Sequence, residues 1–137
     1  MSYKLIAIDL DDTLLNSADI IPERAVRAVQ AAAARGTLVV LCTGRTKKGM
    51  QRYYDELGLD TLMITAGGAE VYDASGRVLF SRGVDPALAR QVLEFGDRLG
   101  VHSQVYIDGE LVYREKSRYS DYYESSYGHP GIVMPDL

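Results

Sequence analysis

The chain has 137 residues, enough for one domain and a fraction of another, and such a length buries roughly two-thirds of the unfolded surface. Hydrophobic residues make up 47% and charged residues 25%, the balance of an ordinary folded globular protein. A net charge of -4 gives no basic field for nucleic acid or an anionic membrane, no apolar run reaches membrane length, and the N-terminus shows no signal-peptide pattern, so the expected location is the cytoplasm.

Taken in chain order, Leu5 to Ile8 form a short continuous apolar run, which predicts a parallel strand buried on both faces. Asp9, Asp11 and Asp12 follow at its carboxyl end, where open α/β sheets bind ligands. Asp9 and Asp11 are two apart, so a continued strand sends both side chains to one side while Asp12 points elsewhere. Like charges held together there call for a hard divalent cation such as Mg2+, or for hydrogen-bond donors. The arrangement permits phosphoryl transfer through an aspartyl phosphate, one carboxylate attacking phosphorus and the other moving protons.

A helix is predicted over 22–35, with Pro22 in its first turn and Gly36 to stop it. Thr37 to Cys42 is a second buried strand, which makes a βαβ unit with a right-handed crossover. The single cysteine, Cys42, reads as a small core residue. The second strand ends in Thr43-Gly44-Arg45-Thr46 and a helix follows from Lys47 to Leu57, so a hydroxyl and backbone N–H groups face an anion at a helix start. Leu62 to Thr65 is a third strand, leading into Ala66-Gly67-Gly68-Ala69.

Asp9-Leu10-Asp11-Asp12-Thr13 resembles the DxDxT first motif of the haloacid dehalogenase superfamily of phosphatases and mutases. Thr43-Gly44-Arg45, across a helix and a second strand, is similar to its second motif in the Cof-like form. The resemblance implies an α/β fold: a partial Rossmann-like parallel three-layer core, then the start of an α+β cap. It makes Asp9 the nucleophile and Asp11 the acid/base, and gives Mg2+ the Asp9 carboxylate and the Asp11 backbone carbonyl as ligands. Leu10, Thr43, Gly44 and Arg45 then surround the phosphate or substrate, Arg45 having solvent exposure as its competing role. Gly67 stands where Cof-type proteins carry Asn, which removes one substrate-directed side chain.

From Glu70 the pattern changes to hairpins, with strands at Glu70 to Asp73 and Arg77 to Ser81. Asp85-Pro86 opens a helix to Leu99 with Leu88, Val92, Phe95 and Leu99 in register, and Gly100 ends it. Val101 to Ile107 and Glu110 to Arg114 form a hairpin about Asp108-Gly109. The boundary is placed so that residues 1–81 are core and 82–137 begin the cap. Residues 115–137 read as a partly helical or irregular tail whose Tyr119, Tyr122, Tyr123 and Tyr127 cover apolar surface or face a substrate or another subunit. His102 is expected on a strand surface, and neither it nor His129 has metal-ligand company.

A complete member of that superfamily is about two ordinary domains long. It returns to the core with a lysine and a Gly-Asp-x-x-Asn-Asp loop, which do not follow here; Lys47, Lys48 and Lys116 lack the strand-end setting, and Asp136 lacks a second acid. The expectation is an N-terminal portion of a phosphatase acting on a small phosphorylated metabolite such as a sugar phosphate, with an apolar sheet edge or face left exposed, or a relative that gains an ordering partner by homodimerisation. A phosphomutase and a non-catalytic binding or assembly fragment are the alternatives. A signalling receiver domain needs its phosphoacceptor Asp after the third strand, which ends in Thr65-Ala66-Gly67.

Overall fold

The computed structural model describes residues 3–137. They fall into two compact units that divide between Arg82 and Gly83. Among the described residues no helix is long and apolar enough to cross a membrane.

The first unit is a five-stranded sheet in the order β1 (Leu5–Ile8), β2 (Leu38–Cys42), β3 (Met63–Thr65), β4 (Glu70–Tyr72) and β5 (Val78–Ser81). β1, β2 and β3 are parallel, with Leu5 opposite Leu38 and Leu41 opposite Met63. β4 and β5 continue the sheet antiparallel. α1 (Glu23–Ala34) and α2 (Lys47–Leu57) make the two crossovers. Both pack into one core, where Val29 of α1 and Met50, Tyr53, Tyr54 and Leu57 of α2 meet Val39, Leu41 and Met63 of the sheet. Each such side chain contributes about 1.5–3 kcal/mol when fully buried.

α1 begins one residue later than Pro22, which is itself extended at ψ 138°. α2 runs as its sequence implies. The Thr46 side chain accepts from the Gly49 N–H at its start, and Gly58 closes it in the left-handed region at φ 64°.

The reading of β1 as buried on both faces is corrected. β1 is an edge strand whose Leu5 is 53% exposed, with Leu38 beside it in register at 40%. Ile6 and Ile8, on the helix-bearing face, are only partly covered. An apolar run reports the wish for burial on two faces, whereas the neighbours along the chain cover one.

The second unit contains α3 (Pro86–Leu99), a sheet of β6 (Gln104–Ile107), β7 (Glu110–Tyr113) and β8 (Ile132–Val133), and α4 (Arg118–Tyr127). Asp85 caps α3, its carboxylate accepting from the N–H groups of Ala87 and Leu88 at 2.9 and 3.2 Å. The β6–β7 turn takes positive φ at both Asp108 (51°) and Gly109 (79°), as a two-residue hairpin requires. The predicted apolar register on α3 is present, but Leu88, Val92, Phe95 and Leu99 are 53–60% exposed. The helix packs instead through Leu93 and Gly96, and a Cβ at Gly96 would lie 2.2 Å from Ser103 Oγ. Close approach at a residue without a side chain decides which face is used.

The region after Glu115 is more ordered than its polarity implies. Ser117 caps α4 reciprocally with Ser120, and β8 pairs parallel with β7. Tyr106 and Tyr127 stack at 5.9 Å, whereas Tyr119 and Tyr122 remain exposed. His102 lies in the loop before β6, with Nδ1 against Ser117 Oγ at 3.0 Å and Nε2 against Gln104 Oε1 at 3.1 Å. His129 Nδ1 faces the Tyr127 carbonyl at 3.0 Å.

Glu124 ties this unit together by accepting from the Tyr113 hydroxyl, Lys116 Nζ and the Gly131 N–H. Those donors, the tyrosine foremost, pull its carboxyl down to about 2 from an ordinary 4.5. A depressed carboxyl stabilises the fold fully above its unfolded value and loses that contribution as pH falls through its folded value. We therefore expect circular dichroism to show acid loosening of this unit between pH 4.5 and 2, and a Glu124→Gln chain to be less stable at pH 7 with that acid dependence reduced.

Candidate active site

Three strand ends meet at one end of the first sheet, because β1, β2 and β3 run parallel. Ladder pairing of β1 stops at Ile8, and the chain enters a wide turn over Leu10–Leu14, closed by the Leu15 N–H donating to the Leu10 carbonyl at 2.9 Å. The turn needs Asp12 in the left-handed region at φ 57°, a conformation Asp tolerates better than most residues. Leu10 and Leu15 point into the core and fasten the turn. Asp9 and Asp11 therefore owe their placement to this turn, not to strand alternation. Leu10, expected near the phosphate, has a fully buried side chain, so only its backbone is available there.

Asp9 is exposed and accepts from Thr13 Oγ1 at 3.3 Å. Asp11 takes a different partner. The Arg45 guanidinium grips it in a fork, Nε to Oδ2 at 3.0 Å and Nη2 to Oδ1 at 2.7 Å. Arg45 Nη2 also donates to Asp19 Oδ1 at 3.0 Å. Its side chain is only 7% exposed, and the Tyr53 ring lies 5.3 Å from the guanidinium carbon. This hydrogen bonding lowers the Asp11 carboxyl below its ordinary 3.8, with burial opposing, and the same pair raises Arg45.

Thr43 is buried at the end of β2, its hydroxyl oxygen accepting from the Arg45 N–H at 3.1 Å. That contact engages a lone pair and leaves the O–H to donate. The loop after β3 is stitched to this segment, with the Ala66 N–H on the Arg45 carbonyl at 2.8 Å and the Gly67 N–H on the Thr43 carbonyl at 3.1 Å. Gly67 sits at φ 65°, where Gly and Asn are both tolerated, so a glycine there keeps the backbone and drops a side chain. At Gly44, Gly67 and Gly68 a Cβ would meet open space, so a ligand has room to approach the backbone.

The structure thus gathers Asp9, Asp11, Thr43, Gly44 and Arg45 on adjoining strand-end segments. It adds Asp19, which the motifs did not mark. Asp19 lies in the loop before α1, in the left-handed region at φ 62°, and its only trace in the sequence is the turn-forming run Asn16-Ser17-Ala18-Asp19. Asn16 Oδ1 accepts from the Ala18 and Ile20 N–H groups and builds that turn.

For a metal, the Asp9 carboxylate and the Asp11 backbone carbonyl are hard oxygen donors of the kind Mg2+ takes. Among the described residues no three His, Cys, Asp or Glu side chains converge on one point. The donors fit such an ion in kind, and this chain would fill part of its shell.

A family model for haloacid dehalogenase-like hydrolases matches residues 6–133. Phosphatase YwpJ of Bacillus subtilis is 34% identical over 110 residues, which cover 80% of this chain and 38% of that protein. The pyridoxal phosphate phosphatase YbhA of Escherichia coli is 29% identical over 114 residues, covering 82% of this chain and 42% of that protein. A haloacid dehalogenase-like hydrolase from Bacteroides thetaiotaomicron superposes with a TM-score of 0.85 at 21% identity, over 98% of this chain and 52% of that one, and so shares the fold. The chain spans from about two-fifths to about half of the length of these proteins.

Replacing Arg45 by Met should cost about 1–2 kcal/mol in urea unfolding at pH 7, less than a fully buried pair because Asp11 and Asp19 are 52% and 41% exposed. The Asp11 part of that loss follows the sign of a lowered carboxyl. It is full above pH 3.8 and disappears as the carboxyl protonates below it. An unfolding midpoint indifferent to the substitution would show that the ion pair carries no stability.

Proposed function

The chain belongs to the haloacid dehalogenase-like hydrolase family, and on that footing we propose that it carries the nucleophile-bearing part of a Mg2+-dependent phosphomonoester hydrolase site. The observation that carries this reading is the meeting of Asp9 and Asp11 with Thr43 at the carboxyl ends of adjacent parallel strands. The phosphatase names of YwpJ and YbhA support it.

In the proposed reaction an Asp9 carboxylate oxygen attacks phosphorus, the bond from phosphorus to the leaving oxygen breaks, and protonated Asp11 gives that oxygen its proton. Water then attacks the phosphorus of the aspartyl phosphate, Asp11 takes a proton from it, and Asp9 is restored as inorganic phosphate leaves. The Thr43 hydroxyl and backbone N–H groups near Gly44 hold phosphoryl oxygens. Arg45 holds Asp11 as the carboxylate, the form the second step uses, and its grip must loosen for the first. Asp9 and the Asp11 carbonyl would hold Mg2+, with water and substrate completing the shell, and the bound ion would offset the repulsion between Asp9 and the incoming phosphate.

The substrate we propose is a small phosphorylated metabolite such as a sugar phosphate, and the compartment the cytoplasm. We assign residues 82–137 to a cap, a division that lies within one residue of the boundary between the two compact units. A second reading, phosphate binding without turnover, has one observation in its favour. Lys47, in the same unit as Asp9, donates to the Gly76 carbonyl and is not directed at Asp9 in this structure. A phosphomutase would share the first step and return the phosphoryl group to substrate.

Phosphate release from a panel including sugar phosphates and pyridoxal phosphate separates these readings. Turnover that needs Mg2+ and vanishes in Asp9→Asn is the expected result. Saturable binding of phosphate with no release above the Asp9→Asn chain would leave the binding reading, and transfer between substrate positions would identify a mutase.

A further inference from the structure

Asp19 stands outside both motifs, yet its contacts converge on the residue that holds Asp11. Its carboxylate bridges two guanidiniums, accepting from Arg45 Nη2 on Oδ1 and from Arg52 Nη2 on Oδ2, each at 3.0 Å. Its backbone carbonyl accepts from the Tyr53 hydroxyl at 3.3 Å. The Tyr53 ring is buried, with the Arg45 and Arg52 guanidinium carbons 5.3 and 4.4 Å from its centre. The loop accepts a left-handed non-glycine residue to put Asp19 there, and conformations of that kind persist only where surrounding contacts over-determine them.

The geometry gives these contacts a consequence. A fork between one guanidinium and one carboxylate fixes their separation, while the pair can still swing as a unit. Both Nη2 hydrogens of Arg45 are directed at acids, one at Asp11 and one at Asp19, and the second contact stops that swing. Asp19 is in turn anchored to α2 through Arg52 and Tyr53. The orientation of the Asp11 carboxylate is therefore set from the loop before α1.

We propose that Asp19 is a positioning residue, acting through Arg45 to fix where the Asp11 carboxylate stands relative to Asp9. The proposal rests on the phosphatase reading for its effect on turnover, and on the ion-pair geometry alone for its effect on Arg45.

The test compares Asp19→Asn and Arg52→Gln in the full 137-residue chain, with folding checked by circular dichroism and thermal melting. With p-nitrophenyl phosphate and Mg2+, Asp19→Asn should lower kcat about tenfold, the scale of one charge-assisted hydrogen bond, and leave KM within about twofold. Arg52→Gln should keep kcat, because the Tyr53 hydroxyl still anchors the Asp19 carbonyl and the Asp19 carboxylate still holds Arg45. Equal losses in both variants would mean that Asp19 merely ties the loop to α2, and unchanged kcat in Asp19→Asn would also overturn the proposal. If the parent chain shows no turnover sensitive to Asp9→Asn, the phosphatase reading has failed, and the Asp19 proposal is decided by the nitrogen-15 NMR signals of the Arg45 guanidinium. Restricted rotation in the parent and faster rotation in Asp19→Asn supports it; identical spectra overturn it.

Discussion

The ion pair between Arg45 and Asp11 is the contact on which the site depends, because it joins the turn leaving β1 to the segment leaving β2. Four carboxylates, Asp9, Asp11, Asp12 and Asp19, occupy the chain between β1 and α1. Left together they repel, and the turn has no reason to close over them. Arg45 is an almost buried guanidinium that gathers two of them, with the Tyr53 ring beneath it, and burying it is tolerable only because its donors meet carboxylates. Asp9 is outside this grip, exposed and bonded only weakly by Thr13, which suits the nucleophile's role proposed for it.

The same economy explains how the two carboxylates of the first motif come to differ. They are two residues apart on one turn, yet one is bound by a guanidinium and the other faces solvent. Asp11 is held as the anion and oriented, whereas the orientation of Asp9 is left to whatever binds beside it. A pair of acids with separate environments is what acid/base and nucleophilic roles require. Here the separation comes from Arg45, in the segment between β2 and α2, backed by Tyr53 of α2, so Asp11 does not acquire its character from its own turn alone.

Much of this was legible in the sequence. Asp9, Asp11 and Thr43 could be named because two apolar strands, each ending in a polar turn, mark where the chain leaves the sheet. The crossover rule then places both turns at the same end. Asp19 was not legible, since a polar residue in a loop looks the same whether it meets solvent or a guanidinium. The face through which α3 packs was not legible for a related reason. Periodicity tells which residues share a face, and Leu88, Val92, Phe95 and Leu99 do, but a helix can also pack through a small residue, and Gly96 with its room for Ser103 decided the matter. β1 failed similarly, because apolar character marks surface to be covered and does not supply the cover.

The uncovered face of β1 bears on how the fold can hold its site. Leu5 and Leu38 stand side by side on the sheet face away from α1 and α2, and at 53% and 40% exposure each forgoes only part of the about 1.5–3 kcal/mol that full burial gives. The residues that build the site are fastened on the opposite, packed side, through Leu10, Leu15, Met50 and Tyr53. The turn carrying Asp9 and Asp11 is thereby tied to the core through Leu10 and Leu15, and the Arg45 segment is stitched to the loop after β3 by the Ala66 and Gly67 N–H groups.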